Sequence, residues 1–216
     1  MKIYFLVCYL TLILMGGCNI VGQKEISGID PTKLPDVVAF QDDFTREFMA
    51  STEEVEEGYY LFKSKTGGYT MMYPENARIN DVLYEMPGES YEFIQYAENV
   101  KELGYQYFAR VTYNAGSRAN SSEQLKKILS TYANYYGEYE PFEYDDKIVY
   151  FAKTENVNEK SDMYSYLAVI ISKGSKQAVS IGYNIITNQN NENIDIENVQ
   201  QDVIKIIESV KFSSNN

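Results

Sequence analysis

Residues 58–74, GYYLFKSKTGGYTMMYP, carry the signature of a β-hairpin. YYLFKS and YTMMYP are short aromatic runs, and KTGG between them is turn chemistry, with Gly67 and Gly68 expected to supply positive φ where the chain reverses. Two more strands follow in SYEFIQYAE and YQYFARVTYNA. The second alternates: Tyr105, Tyr107, Ala109, Val111 and Tyr113 face one way, and Gln106, Arg110, Thr112 and Asn114 the other. Ser121 with Gln124 three residues on is a capping-box start, and it predicts a helix with Leu125, Ile128, Leu129, Tyr132 and Tyr136 as its buried stripe. KIVYFAKTE, MYSYLAVIISKG and AVSIGYNIIT then read as three strands, the last alternating Val179, Ile181, Tyr183 and Ile185 with Ser180, Gly182 and Asn184. TNQNNENID is polar and Asn-rich, an exposed connection. Val199, Val203, Ile206, Ile207 and Val210 mark a closing helix, with Phe212 packing just beyond it.

Upstream of the hairpin, Val37, Phe40, Phe44 and Phe48 recur at helical spacing, and Pro35 and Asp36 suit a helix start, so one helix is predicted there. Strands joined mostly by hairpins imply an antiparallel arrangement. The expectation is an α+β fold, a mainly antiparallel sheet of about six strands flanked by helices, in a single domain over 37–216. Asn19 to Asp36 carries two glycines and two prolines without a sustained period. With residue 18 it reads as a flexible linker, 18–36, of at most about 60 Å.

Residues 1–18, MKIYFLVCYLTLILMGGC, have the three-part layout of a secretory signal peptide: Lys2, an apolar run to Met15, then small residues. The run is short for a membrane span, which needs about 20 apolar residues. Gly16-Gly17-Cys18 resembles the bacterial lipobox, with Met15 where that motif prefers Leu. The resemblance implies that residues 1–17 are removed and that Cys18 becomes a diacylglycerol-bearing N-terminus on a membrane. Cys8 would leave with the peptide, so Cys18 would be the sole cysteine and no intrachain disulfide could form. Its usage of Asn, Ile, Lys and Tyr points to a low-GC Gram-positive host, where export by the general secretory route places the anchor on the outer face of the cell membrane.

The formal net charge is −12, and loss of Lys2 makes it one more negative. Such a surface argues against nucleic acid, whose phosphates need Lys and Arg in place of their counterions. It also argues against electrostatic docking on anionic lipid, leaving attachment to the acyl chains on Cys18.

GYYLFKSKTGGYTMMYPENARI and the ending QQDVIKIIESVKF resemble the opening and the last helix of PsbP-like sandwich domains. DPTKLPDVVAFQDDFTREFMASTEEVEEGYYLFKSK, residues 30–65, resembles the N-terminal part of YvcA-type lipoproteins of Gram-positive bacilli. These resemblances imply a sandwich domain with an accessory or docking role rather than an enzyme.

The residues themselves offer little chemistry. There is no histidine, which removes the commonest general base and zinc ligand, and lipid on Cys18 would remove the only thiol. No phosphate-binding glycine loop or nucleophile elbow occurs. Acidic groups at Asp42/Asp43, Glu53/Glu54/Glu56/Glu57 and Glu138/Glu140/Glu143/Asp145/Asp146 leave a carboxylate-based hydrolase as a distant alternative, although adjacent acids are usually solvated surface. No cofactor or metal is expected, and the chain is expected to be a monomer. YANYYGEYEPFEYDD, residues 132–146, places Tyr135, Tyr139, Phe142 and Tyr144 among acids. These aromatics either fold back onto the sheet, which is favoured, or form a contact patch for an envelope protein or wall polymer. Two functions follow: a partner-binding accessory lipoprotein, or one that captures a small molecule or wall fragment. A pocket of a few hundred Å³ with convergent polar groups would favour capture.

Overall fold

The computed structural model describes residues 26, 29–157, 161–188 and 194–214. Cys18 and most of the Asn-rich connection lie outside them. Strand β1 (Met49–Glu56) turns at Gly58, with φ +77°, into the predicted hairpin of β2 (Tyr59–Lys63) and β3 (Tyr69–Pro74). β4 (Arg78–Ile79), β5 (Tyr91–Val100) and β6 (Tyr105–Ala115) follow, then β7 (Glu140–Glu143), β8 (Lys147–Val157), β9 (Ser161–Ser172) and β10 (Gln177–Asn188). β11 (Lys211–Phe212) ends the described strands.

They form two antiparallel sheets, β1-β2-β3-β11 and β4-β5-β6-β10-β9-β8-β7, so the fold is an α+β sandwich. The main core lies between the sheets, where Phe62, Tyr69, Met71 and Tyr73 of the smaller meet Tyr96, Tyr107, Val111 and Ile181 of the larger. The predicted alternation in β6 and β10 sets this: Val111 pairs directly with Ile181, and both are fully buried. Helix α4 (Ile196–Ser209) adds Val199, Val203, Ile206 and Ile207 to the same core. Its N-terminus is capped by the Asp195 carboxylate, which accepts from the Glu197 and Asn198 amides. The buried Lys147 closes its other end by donating to the Val210 carbonyl at 2.7 Å.

Helix α3 (Ser122–Ala133) packs on the opposite, outer face of the larger sheet, where Leu125 and Leu129 meet Leu167, Val169 and Ala178. Ser121 Oγ accepts from the Gln124 amide, as the capping signature predicts. Asn134, with φ +51°, ends the helix.

Four expectations need correction. The Phe-rich segment forms two one-turn helices, α1 (Val38–Gln41) and α2 (Asp43–Arg46), rather than one helix. Asp42 breaks it with extended backbone, because its carboxylate caps α2 by accepting from the Thr45 amide and hydroxyl. Phe40 and Phe48 are nevertheless fully buried. Gly67 has the expected positive φ, but Gly68 does not; its missing side chain instead makes room for the Tyr113 ring. The segment expected to be linker is packed near its end, with Leu34 buried and Ile29 against the core. The helix stripe over-reached, for Ile128, Tyr132 and Tyr136 are 49%, 70% and 90% exposed. Asn134 ends the helix before Tyr136, and Ile128 and Tyr132 line an open cleft above β5 and β6 instead of packing down on the sheet.

Candidate functional site

α3 covers the outer face of β9 and β10 but leaves that of β5 and β6 open, and a cleft of about 420 Å³ lies along its flank. Strand register builds the floor. On β6 the outward residues are Phe108, Arg110, Thr112 and Asn114; on β10 the directly opposite partners are Asn184, Gly182, Ser180 and Ala178. Gly182 therefore sits beside Arg110, and a Cβ there would press to 3.3 Å from Leu129 Cδ1 of the helix above. The absent side chain lets α3 settle on β10. On the other side β5 contributes Tyr91 and Phe93, and Phe93 is paired with Thr112. Tyr132 and Ala133 form the helix wall, and Arg118, just before α3, stands at the rim.

Both arginines lie against aromatic rings. The Arg110 guanidinium carbon is 4.7 Å from the Tyr132 ring centre and 5.5 Å from that of Phe93, and Arg118 is 5.4 Å from Tyr91. Such contacts fix a guanidinium without neutralising it. Among the described residues neither arginine forms an ion pair, and the buried Nε of Arg110 has no hydrogen-bond acceptor. The other two arginines of the sequence behave differently: Arg46 pairs with Asp43 at 2.6 Å and Arg78 with Asp42 at 2.8 Å. The Tyr91 phenol registers the local field. Burial raises its pKa most and Glu85 adds to that, while Arg118 and Arg110 pull it down. The cleft thus joins an apolar lining to two fixed positive charges.

Tyr135, Tyr139, Phe142 and Tyr144 do not share one surface. Tyr135 and Tyr139 form an edge-to-face pair, 5.6 Å between ring centres, against the small cluster beneath α3. Tyr144 packs on the main core and donates to Glu208 Oε1 at 2.6 Å. Phe142 is 45% exposed on the edge strand β7. Several of the grouped acids stand in ion pairs: Asp42 and Asp43 as above, Glu56 with Lys205, and Glu143 with Lys173. Among the described residues no three His, Cys, Asp or Glu side chains gather as metal ligands. The cleft arginines were missed as a pair. The legible signal was Arg110 on the outward face of an aromatic strand, since a cation there needs a partner.

Residues 35–211 match the family described as "Putative lipoprotein YvcA". The chain belongs to the YvcA lipoprotein family. A relative printed under the same description, from Bacillus subtilis (strain 168), is 31% identical over 233 residues, covering 98% of this chain and 96% of its own length. A solved structure from Bacteroides thetaiotaomicron VPI-5482 is 11% identical with a TM-score of 0.42, covering 74% of this chain and 50% of that one. The YvcA match takes in both sheets, α3 and the whole cleft. Membership in a lipoprotein family agrees with the lipobox-like Gly16-Gly17-Cys18, which lies outside the described residues.

Proposed function

We propose that this lipoprotein is a non-catalytic capture module, held by lipid on Cys18 at the outer face of the cell membrane, which takes up a small molecule between α3 and the β5–β6 face. The observation that carries the reading is the cleft of about 420 Å³, within the range of small-molecule sites, with two arginines free of carboxylate partners among the described residues. The rest of the domain is consistent with a passive holder. The inter-sheet core is filled with side chains, and four of the grouped acids, Asp42, Asp43, Glu56 and Glu143, stand in surface ion pairs. The lipid would keep the module near the membrane, and ligand capture would be its accessory role.

Mass spectrometry of the lipidated protein extracted from membranes tests this reading. A small molecule should travel with the wild-type chain and be lost from Thr112→Trp, which fills the cleft floor, while both proteins keep the same circular dichroism. A chain that carries nothing, or equal amounts retained by the filled variant, would overturn it.

A further inference from the structure

We infer that the molecule held in this cleft is a free amphiphile with an oxyanion head, carboxylate or phosphate, on an apolar body. The inference rests on the capture reading above and gives its ligand a chemistry. Three observations converge. First, the chain is strongly acidic, so an arginine surrounded by its carboxylates would ordinarily find one, as Arg46 and Arg78 do. Arg110 and Arg118 do not among the described residues, although the same fold brings both to one cleft.

Second, among the described residues the buried Nε of Arg110 lacks an acceptor. A buried charged donor without an acceptor is costly to maintain, and an incoming oxyanion would relieve that cost. The guanidinium lies over the rings of Phe93 and Tyr132, contacts that engage its charge but offer its N–H groups no oxygen, and these groups can meet a carboxylate or a phosphate. A cationic ligand would instead meet two like charges.

Third, beyond the arginines the lining is largely apolar, from Phe93, Phe108, Leu125, Leu129 and Met163. Inorganic anion alone would leave that surface unused. The acidic exterior disfavours approach of the cleft to an anionic bilayer, so the assignment is to an amphiphile free in solution rather than to a lipid within the membrane.

Calorimetric titration tests this with the chain from residue 18 onward carrying Cys18→Ser, so that no acyl chain competes for the cleft. The probes are octyl phosphate below its micellar concentration, octanol and inorganic phosphate. Octyl phosphate should bind at least tenfold more tightly than octanol or inorganic phosphate. Arg110→Gln should bring it down to the level of octanol, leaving octanol itself unchanged. Arg118→Gln, at an exposed position where folding is not at stake, should weaken octyl phosphate severalfold. Equal binding of octyl phosphate and octanol, both abolished by Thr112→Trp, would overturn the anionic head and spare the capture reading. Binding of inorganic phosphate as tight as that of octyl phosphate would overturn the amphiphile. Arg110-dependent sedimentation with phosphatidylglycerol vesicles would move the site to the bilayer and overturn the free ligand. Failure of every probe, or binding that Thr112→Trp does not touch, would sink the capture reading as well.

Discussion

The Arg110 guanidinium lies 4.7 Å from the centre of the Tyr132 ring, joining strand β6 to helix α3 across the mouth of the cleft. The ring is 70% exposed, so its contribution to folding is small and its contribution to the cleft is positional. Tyr132→Ala should cost no more than about 1 kcal/mol in urea unfolding, the scale of an exposed cation–π contact. The same change should weaken octyl phosphate severalfold, because it frees the guanidinium to leave the cleft. A large loss of stability would instead mark Tyr132 as a packing residue.

Gly67 and Gly68 are adjacent but constrained by different physics. Gly67→Ala strains a left-handed backbone in open space, whereas a methyl on Gly68 would overlap the buried Tyr113 ring. That ring is stacked on Tyr69 at 5.5 Å, and its hydroxyl accepts from Gln177 Nε2 at 2.9 Å, so it has little freedom to retreat. Gly68→Ala should destabilise by about 1–3 kcal/mol. Combined with Tyr113→Leu it should cost less than the sum of the two single changes, while Gly67→Ala with Tyr113→Leu should be additive. Urea unfolding of the six proteins decides between the two mechanisms.

Glu92 faces the main core, fully buried; one carboxylate oxygen accepts from the Lys65 amide at 2.9 Å and the Tyr84 hydroxyl at 3.2 Å, and the other has no partner among the described residues. Burial raises its pKa, against the opposing pull of hydrogen bonds from Ser64, Lys65 and Tyr84 and of the Lys65 charge. The folded state therefore holds the proton to higher pH than the unfolded chain does. The stability linked to it is complete below the ordinary carboxyl value of 4.5 and is lost as pH rises through the folded-state value. Glu98 is raised in the same sense, again chiefly by burial. Unfolding free energy should fall on going from pH 4.5 towards neutrality, and Glu92→Gln should make that fall shallower without abolishing it. Identical slopes for the two proteins would contradict this assignment.

Much of this architecture was legible from periodicity. β2, β3, β5, β6, β8, β9 and β10 all alternate or run apolar, and α3 and α4 show helical spacing. β1 escaped because its second half, Glu53 to Glu56, is exposed edge, where acids replace the alternation that burial would impose. β7 is exposed throughout, and β4 and β11 are two residues each, too short for any pattern. The Phe spacing marked Phe40 and Phe48 correctly as core, but spacing cannot report that Asp42 gains more by capping than by continuing a helix. The cleft was harder to read. Its outward residues on β6 were visible, yet the Gly182–Arg110 pairing joins positions far apart in sequence, and period alone placed Tyr132 beside Leu125 and Leu129. How closely each edge of a helix sits on the sheet beneath it is a tertiary property.

The anchor makes a separate prediction. Cells fed an alkyne fatty-acid analogue should label the wild-type chain, and Cys18→Ala should take up no label and leave the membrane fraction. Label retained by the variant would place the lipid elsewhere.

The most direct test of the capture cleft is an amide shift map recorded as octyl phosphate is added to the isotope-labelled chain bearing Cys18→Ser. Shifts should concentrate on Phe93, Arg110, Thr112 and Leu129, with the edge strand around Phe142 undisturbed. Shifts centred on β7, or spread evenly without saturation, would contradict it.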